Sequence, residues 1–412
     1  MTLFDTICTL IDHFVALDIQ QDLQPIGGVG DKIFPPTYLG PRNTKQYVTD
    51  QRLIDGVLET TVLLDSVASQ ANRMEEALQH LVDAKKCALP LLETYIDIPF
   101  APRITSLTAP HRGLDAYFLD SVRMDPVTGT PGQSFVDDPL GAALIVSTPS
   151  NATALFQYVP TMLVFGAWAS HAKSTGIHNL DGRFTRIIRS EILGWGQATP
   201  GQSVSSKQDP LSLSKDIQLY AMNKPDERWS FTPPSSKTSS KKANSGQKAS
   251  ELGLGAIPPT INTLGGYSMQ SIRQHAQITL LGLRRLHFPV PGKSDDQQHA
   301  IDQAARTVLL LLALIALRAQ MDEGYDLRSG CALLPTRSPV VTQIGRTASE
   351  HTAWELPLLT DLLTAFSEAV AFAVNQGLPW TPEHFTYRVQ ERVRLLFNQS
   401  RSIDDTSSED FQ

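Results

Sequence analysis

The segment LLDSVASQANRME, residues 63–75, places hydrogen-bonding side chains around the start of a predicted helix: Ser66, Ser69, Gln70, Asn72 and Arg73. A helix N-terminus offers free backbone N–H groups and a positive dipole end, which suit an anion. Hydroxyl, amide and guanidinium groups around it would extend that end into a cradle for phosphate or ribose. The alternative is a helix capped by Asp65 or Ser66 whose other polar residues are simply solvated.

A second segment, APHRGLDAYFLDS, joins a histidine, an arginine and an aspartate. His111 lies four residues before Asp115, a spacing at which a carboxylate could orient a general base. No serine or cysteine nucleophile stands beside them, so Arg112 next to His111 fits phosphate or base contact instead. A histidine that only begins a helix is the other interpretation.

Two further segments carry aromatic and basic groups. GAWASHAKSTG contains Trp168, Ser170, His171 and Lys173, which suit stacking on a base with phosphate contact, or a capped turn. GRFTRIIRSEI is predicted to be helical and to project a basic stripe of Arg183, Arg186 and Arg189 away from its apolar side, unless that side is only solvated.

Weaker polar clusters lie in predicted loops: Ser205, Ser206 and Lys207, and Arg328 within the run DLRS. The run GGVGDK lacks the G-x-x-x-x-G-K-[ST] spacing of a phosphate loop and is predicted to be a turn. No motif supplies a nucleophile with its base or metal ligands at a recognised spacing. The sequence therefore predicts phosphodiester binding without cleavage, and neither a metal nor a cofactor.

The whole-chain composition sets limits on these interpretations. A net charge of −7 argues against indiscriminate nucleic-acid binding but allows a local basic groove. Cys8, Cys87 and Cys331 are few and far apart, which favours a reducing cytoplasm. Asp5 stands where a signal peptide would be basic, so we expect no leader. The apolar run 308–317 is too short to span a bilayer, so it predicts a buried helix and no membrane partner.

Strand-like and helix-like segments interleave without a regular βαβα period, which favours an α+β fold. We predict a strand at 58–64 and a helix from there to about residue 84. We also predict strands within 153–168, a helix fed by a glycine loop at 176–193, and helices at 300–324, 355–377 and 381–397. Residues 232–250 are rich in serine and lysine and are predicted to be a flexible loop, or to contact DNA through Lys237, Lys241, Lys242 and Lys248. The acidic tail, 401–412, is predicted to be disordered.

Several segments taken together resemble one family. In chain order they are LQPIGGVGDKIFPPTY, LLDSVASQANRMEEAL, RITSLTAPHRGLDA, NATALFQYVPTMLVFGAW, RFTRIIRSEILG, ARTVLLLLALIAL and GYDLRSGCALLP. They resemble the backbone subunit of type I-U (now I-G) CRISPR Cascade, a branch of the Cas-seven group in the RAMP superfamily. The resemblance covers roughly residues 23–335. It implies one RAMP-type domain over 1–412, with an RRM-like (ferredoxin-like) antiparallel core at 58–335 that carries insertions. A C-terminal helical extension at 350–400 lies outside it.

The resemblance also implies a function. Copies of the chain would polymerise head to tail along a CRISPR guide RNA, together with other Cascade subunits, and present the guide to target DNA. A hairpin thumb would displace bases, and residues 123–147 are the first candidate for it. The family has an arginine where this chain has Lys207 in SSKQDP, so a cation remains without bidentate geometry. The alternative function is a metal-dependent RNA or DNA endonuclease that uses His111, Asp115 and His171.

Overall fold

The computed structural model describes residues 2–99, 101–167, 184–196, 199–213, 217–224, 227–233, 247–347 and 349–407. The chain divides into two compact units. Unit 1 comprises Met1–Gln197 and Ser268–Arg394, and unit 2 comprises Ala198–Tyr267 and Leu395–Gln412.

Helices occupy these ranges in chain order: α1 Leu3–His13, α2 Val67–Asp83, α3 Ala116–Leu119, α4 Pro139–Ile145, α5 Thr153–Tyr158, α6 Thr161–Phe165, α7 Leu280–Arg284, α8 Asp295–Glu323, α9 Leu359–Gln376 and α10 Glu391–Ser407. The strands before residue 140 are β1 Ala16–Pro25, β2 Lys32–Ile33, β3 Thr37–Leu39, β4 Lys45–Tyr47, β5 Thr49–Ile54, β6 Val57–Asp65, β7 Leu91–Tyr95, β8 Ile104–Thr105, β9 Ser121–Met124 and β10 Pro131–Ser134. The later strands are β11 Ile188–Trp195, β12 Ser203–Lys207, β13 Gln218–Lys224, β14 Glu227–Ser230, β15 Gln247–Lys248, β16 Ile257–Asn262, β17 Tyr267–Ser268, β18 Ser271–Thr279, β19 Tyr325–Arg328, β20 Cys331–Pro335, β21 Val340–Ile344, β22 His351–Trp354 and β23 His384–Val389.

Within the described residues, unit 1 is built on a nine-stranded sheet with the order β19-β20-β1-β18-β11-β6-β5, in which β21 also pairs with β1 and β22 with β21. All of these pairs are antiparallel. The elements β1, α2, β11, β18, α8 and β20 follow one another in the β-α-β-β-α-β sequence of a ferredoxin-like fold. The predicted α+β, RRM-like fold class is therefore confirmed.

One face of this sheet forms the core, and the other is polar. Along β1, Leu17, Ile19, Gln21 and Leu23 are buried while Asp18, Gln20 and Asp22 between them are partly exposed, because side chains alternate across a strand. Helix α8 is the central element against the buried face, and its residues 308–317 are fully buried. Among the described helices, α8 is long and apolar enough to cross a membrane, yet 89% of its most apolar window is buried inside the protein. It is a core helix, as predicted.

The remaining described strands form smaller sheets. In unit 1 the order β10-β9-β23-β7-β8 makes a second sheet, in which β23 runs parallel to β7. In unit 2, β12 pairs with β16, and β13 pairs with both β14 and β15.

Several elements match the sequence prediction. The strand near 58–64 is β6, the following helix is α2, and α9 lies within 355–377. Helix α8 ends at Gly324, which adopts a φ of 97° that favours glycine.

Other predictions were wrong. Residues predicted as strands at 153–168 form α5 and α6, an apolar pair of helices buried on several sides. Residues 188–193, predicted as the helical end of the segment 176–193, belong instead to β11 because β18 and β6 pair with that strand on its two edges. The predicted helix at 381–397 is instead strand β23 followed by α10, so the segment 350–400 is not wholly helical, and α10 continues into the tail as far as Ser407. The observed core sheet also includes β1, which precedes the range 58–335.

Candidate nucleic-acid interface

The start of α2 is held by its own polar residues. Ser66 is the N-cap, and its side chain accepts a hydrogen bond from the Ser69 backbone N–H at 3.2 Å. Arg73 Nε donates to Asp65 Oδ2 at 2.9 Å, and Arg73 Nη2 donates to the Leu327 carbonyl at 2.6 Å. Arg73 therefore connects α2 to β19, so two segments that the sequence predicted separately as polar clusters, residues 63–75 and the run DLRS, lie side by side.

Gln70 lies in the core, although the sequence placed it among the RNA contacts. It is fully buried, its Oε1 accepts from Ser190 Oγ and Gln274 Nε2, both at 2.8 Å, and its Nε2 donates to Asp65 Oδ2 at 2.7 Å. Its amide is therefore satisfied inside the protein, as buried polar groups generally are, and it cannot reach a ligand. Ser66, Ser69 and Arg73 stay partly exposed and Asn72 is exposed.

Arg112 forms a buried ion pair with a residue that the sequence did not single out. Its Nε and Nη2 donate to the two carboxylate oxygens of Glu75 at 2.6 and 3.0 Å, and its Nη1 donates to the Gly166 carbonyl at 3.0 Å. The guanidinium also lies over the Phe165 ring, 5.5 Å from its centre. Burial raises the pKa of Glu75 above its ordinary value, against the lowering effect of Arg112.

The proposed acid–base pair of the endonuclease alternative does not form. One carboxylate oxygen of Asp115 accepts from the His111 backbone N–H at 2.9 Å, and the other accepts from the Tyr117 backbone N–H at 3.0 Å. Asp115 is 3% exposed and caps α3, so its oxygens serve the backbone rather than an imidazole. In the described part of the chain, no group of three or more His, Cys, Asp or Glu side chains could hold a metal ion.

Arg186 lies close enough to Glu75 and Arg112 to interact with their charges. It is exposed, and its side chain makes no hydrogen bond or ion pair with any residue that the structure describes. Partial burial lowers the pKa of its guanidinium, and the nearby charges of Arg112 and Arg189 lower it further, against the opposing effect of Glu75. Arg189 pairs with Glu191 at 3.2 Å. The charges around Glu75 therefore carry a positive surplus centred on Arg186, which suits an anion such as phosphate.

The backbone around Arg186 is closely packed. Gly166, with a φ of 86°, lies so near that an added Cβ would sit 3.0 Å from the Arg186 backbone nitrogen and 2.9 Å from the Phe184 carbonyl. Ala167 and Phe184 exchange backbone hydrogen bonds of 2.9 and 3.1 Å. The predicted contacts between them lie outside the described residues: Trp168, Ser170, His171, Lys173 and Arg183.

The other predicted contacts are scattered. Arg328 donates to the Pro35 carbonyl at 2.7 Å. In unit 2, Ser205, Ser206 and Lys207 are exposed along β12, and Lys248 is exposed at the end of β15. Lys237, Lys241 and Lys242 lie outside the described residues.

The open face of the large sheet carries charges that neutralise one another. Asp18 contacts His275 at 2.5 Å, Asp22 accepts from Arg273 at 2.8 Å, and Glu191 accepts from Arg52 at 2.7 Å. A groove of about 250 Å³ lies among them. Because Arg273 and Arg52 already bind carboxylates, a phosphate would have to compete for them, whereas it would not at Arg186.

Comparison with known proteins identifies a family for the first half of the core. The model of the family described as CRISPR-associated protein GSU0053 matches residues 17–199, a segment that runs from β1 through α2 to the end of β11. It therefore contains the Glu75–Arg112 pair and Arg186. No curated protein matches the chain significantly. Residues 17–199, somewhat less than half of the chain, are thus similar to a CRISPR-associated family, in agreement with the sequence resemblance.

Proposed function

We propose that this chain is a non-catalytic backbone subunit of a type I-G Cascade complex that polymerises along a CRISPR guide RNA in the cytoplasm. Each copy grips the sugar-phosphate strand, and the assembled filament presents the guide to target DNA together with the other Cascade subunits. The family match supports a CRISPR role. The observation that carries the proposal further is Arg186, an exposed guanidinium without a described partner beside the buried Glu75–Arg112 pair.

The chemistry of this cluster suits a ligand whose sequence varies. A guide differs from one complex to the next, so its carrier must contact phosphate and ribose and ignore the bases. A guanidinium binds any phosphate through charge-assisted hydrogen bonds. The ion pair beneath it fixes the surrounding backbone, because Arg112 also holds the Gly166 carbonyl next to Arg186.

The proposal is non-catalytic for a geometric reason. The sequence offered His111, Asp115 and His171 as its acid–base group. Both oxygens of Asp115 accept backbone N–H groups, so this carboxylate is not placed to orient a histidine base.

We further propose that unit 2 supplies the thumb, in place of residues 123–147. That earlier candidate pairs as β9 and β10 within a sheet of unit 1 and continues into α4. The segment Ala198–Tyr267 of unit 2 lies between β11 and β18 in the chain, and its β12–β16 ladder places Val204 opposite Ile261. These two side chains are 69% and 65% exposed, and exposed apolar side chains can act as wedges between bases.

The test is RNA binding by matched arginine variants. Fluorescence anisotropy with a labelled single-stranded RNA would compare Arg186→Ala with Arg346→Ala, which removes an exposed arginine elsewhere in unit 1. One lost phosphate contact should reduce the slope of log K against log salt by about 0.7 and weaken binding about 5-fold at about 0.1 M salt. Arg346→Ala and RNAs of unrelated sequence should leave the affinity within about 2-fold. Equal behaviour of the two variants would refute the assignment of Arg186.

A further inference from the structure

A short hairpin outside every predicted contact has the composition of a nucleic-acid arm. Strands β3 and β4 pair from Thr37 opposite Tyr47 to Leu39 opposite Lys45. Residues 32–49 contain three cations and no acid, in a chain whose net charge is −7. The local excess of positive charge therefore contrasts with the rest of the protein.

The two cations at the end of the hairpin are available to a ligand. Arg42 and Lys45 are exposed, and their side chains have no hydrogen bond or ion pair within the described part of the chain. Tyr38 on the facing strand is 38% exposed. Tyr38 lies opposite Gln46 and Leu39 opposite Lys45, so the ring is on the other face from the Lys45 side chain, and the fit to phosphate rests on the two cations.

The turn itself carries an unusual arginine. Arg42 and Asn43 both have positive φ, 60° and 57°. They lie in a three-residue loop, closed by a hydrogen bond of 2.8 Å from Gly40 N–H to the Thr44 carbonyl, and a Cβ is disfavoured at a positive φ. A left-handed arginine is uncommon, and here it places a cation in the loop at the end of the hairpin.

The base of the hairpin is attached to an element of the candidate interface. Phe34 N–H donates to the Gly330 carbonyl at 2.8 Å, and Arg328 donates to the Pro35 carbonyl at 2.7 Å. Strand β19, which ends at Arg328, also accepts the hydrogen bond from Arg73 at the start of α2. The arm is thus fixed beside the helix start where the sequence predicted RNA contacts.

We propose that the β3–β4 hairpin is a second phosphodiester-binding element, whose Arg42 and Lys45 bind the backbone of a nucleic-acid strand. This inference rests on the proposed function for its ligand class, because either the guide RNA or a DNA strand paired with it has the required phosphates. A polyanion fits this arm because the charges that Arg42 and Lys45 expose are both positive.

The test uses Arg42→Asn, Lys45→Gln and the double variant, with Arg346→Asn as the charge-matched control. Asparagine accepts a positive φ readily, so Arg42→Asn removes the cation and preserves the turn. The melting temperature of this variant should equal or exceed that of the wild type. Two affinities are measured by anisotropy: that of the chain for labelled single-stranded RNA, and that of the RNA-loaded chain for a complementary labelled DNA.

Each lost cation should weaken one of these two affinities about 5-fold at about 0.1 M salt and reduce its salt slope by about 0.7. A loss in the first measurement identifies the guide as the ligand, and a loss confined to the second identifies the DNA strand. The inference is overturned if the double variant matches the control in both measurements while Arg186→Ala weakens RNA binding. If Arg186→Ala has no effect but the hairpin variants do, the arm is retained and the proposed role of Arg186 fails.

Discussion

Removing Glu75 should destabilise unit 1 strongly, because it leaves a buried charge without its partner. In the Glu75→Ala variant, Nε and Nη2 of Arg112 lose their acceptors, while only the Gly166 carbonyl and the Phe165 ring remain. The two side chains of the pair are 12% and 4% exposed, so water does not readily replace the carboxylate. Breaking a buried pair from one side costs about 3–5 kcal/mol.

Urea unfolding followed by circular dichroism measures this cost. With a slope of about 3 kcal/mol per molar urea, the midpoint should fall by about 1 M or more. Glu76→Ala is the control, since Glu76 is the exposed neighbour on the same helix and should change the free energy of unfolding by less than about 0.5 kcal/mol.

A double-mutant cycle compares the single variants Glu75→Leu and Arg112→Met with the variant that carries both changes. It removes both charges, so it should be more stable than Glu75→Ala despite carrying an additional change. If Glu75→Ala costs less than about 1 kcal/mol, or if the double variant loses the sum of the two single effects, the pair is not the buried and coupled unit described here.

Two further predictions concern polar residues that the fold uses internally. Gln70→Leu should lower the free energy of unfolding by about 1–3 kcal/mol, because the buried Ser190 hydroxyl and Gln274 amide lose the oxygen to which they donate. In the same denaturation assay the exposed Asn72→Ala should be nearly neutral, and an equal cost for the two would contradict the assignment. Burial opposes ionisation of Asp18, but hydrogen bonds led by that from His275 outweigh it and hold the pKa of Asp18 below its ordinary value. This contribution to stability is present above the ordinary pKa and is lost as pH falls through the lowered one, so Asp18→Asn should flatten the decline in stability below about pH 4. If the unfolding free energy of Asp18→Asn falls below about pH 4 as steeply as that of the wild type, Asp18 does not make this contribution.

Elements were predicted correctly where the spacing of apolar residues fits only one type of secondary structure. They were predicted wrongly where the spacing fits two types and pairing with distant strands selects between them. Helix α2 shows a clear apolar stripe, and its cap at Ser66 is readable from the residue type. Residues 188–195 place isoleucines at 188 and 192, a spacing that fits a helix face and also fits alternate positions of a strand. Only pairing with β18 and β6 selects the strand. Strand β1 was missed because the buried Gln21 interrupts its apolar alternation.

The candidate site was predictable in its region but not in its roles. From the sequence alone, a polar residue that contacts a ligand cannot be told from one that belongs to a buried hydrogen-bond network. Gln70 and Arg112 were therefore predicted to contact RNA, whereas their side chains bond to other residues of the protein. Glu75 gave no signal, because its partner lies far away in sequence. The cations of the β3–β4 hairpin did leave a trace, the acid-free run 32–49, which motif spacing alone does not detect.

The most direct measurement is the structure of this chain assembled on a guide RNA. The account predicts a phosphate oxygen about 3 Å from the Arg186 guanidinium in successive copies, whatever the guide sequence. It also predicts that β12 and β16 lie against the RNA, with Val204 and Ile261 beside a displaced base. An RNA path along the open face of the sheet, over Asp18 and Glu191 and away from Arg186, would contradict it.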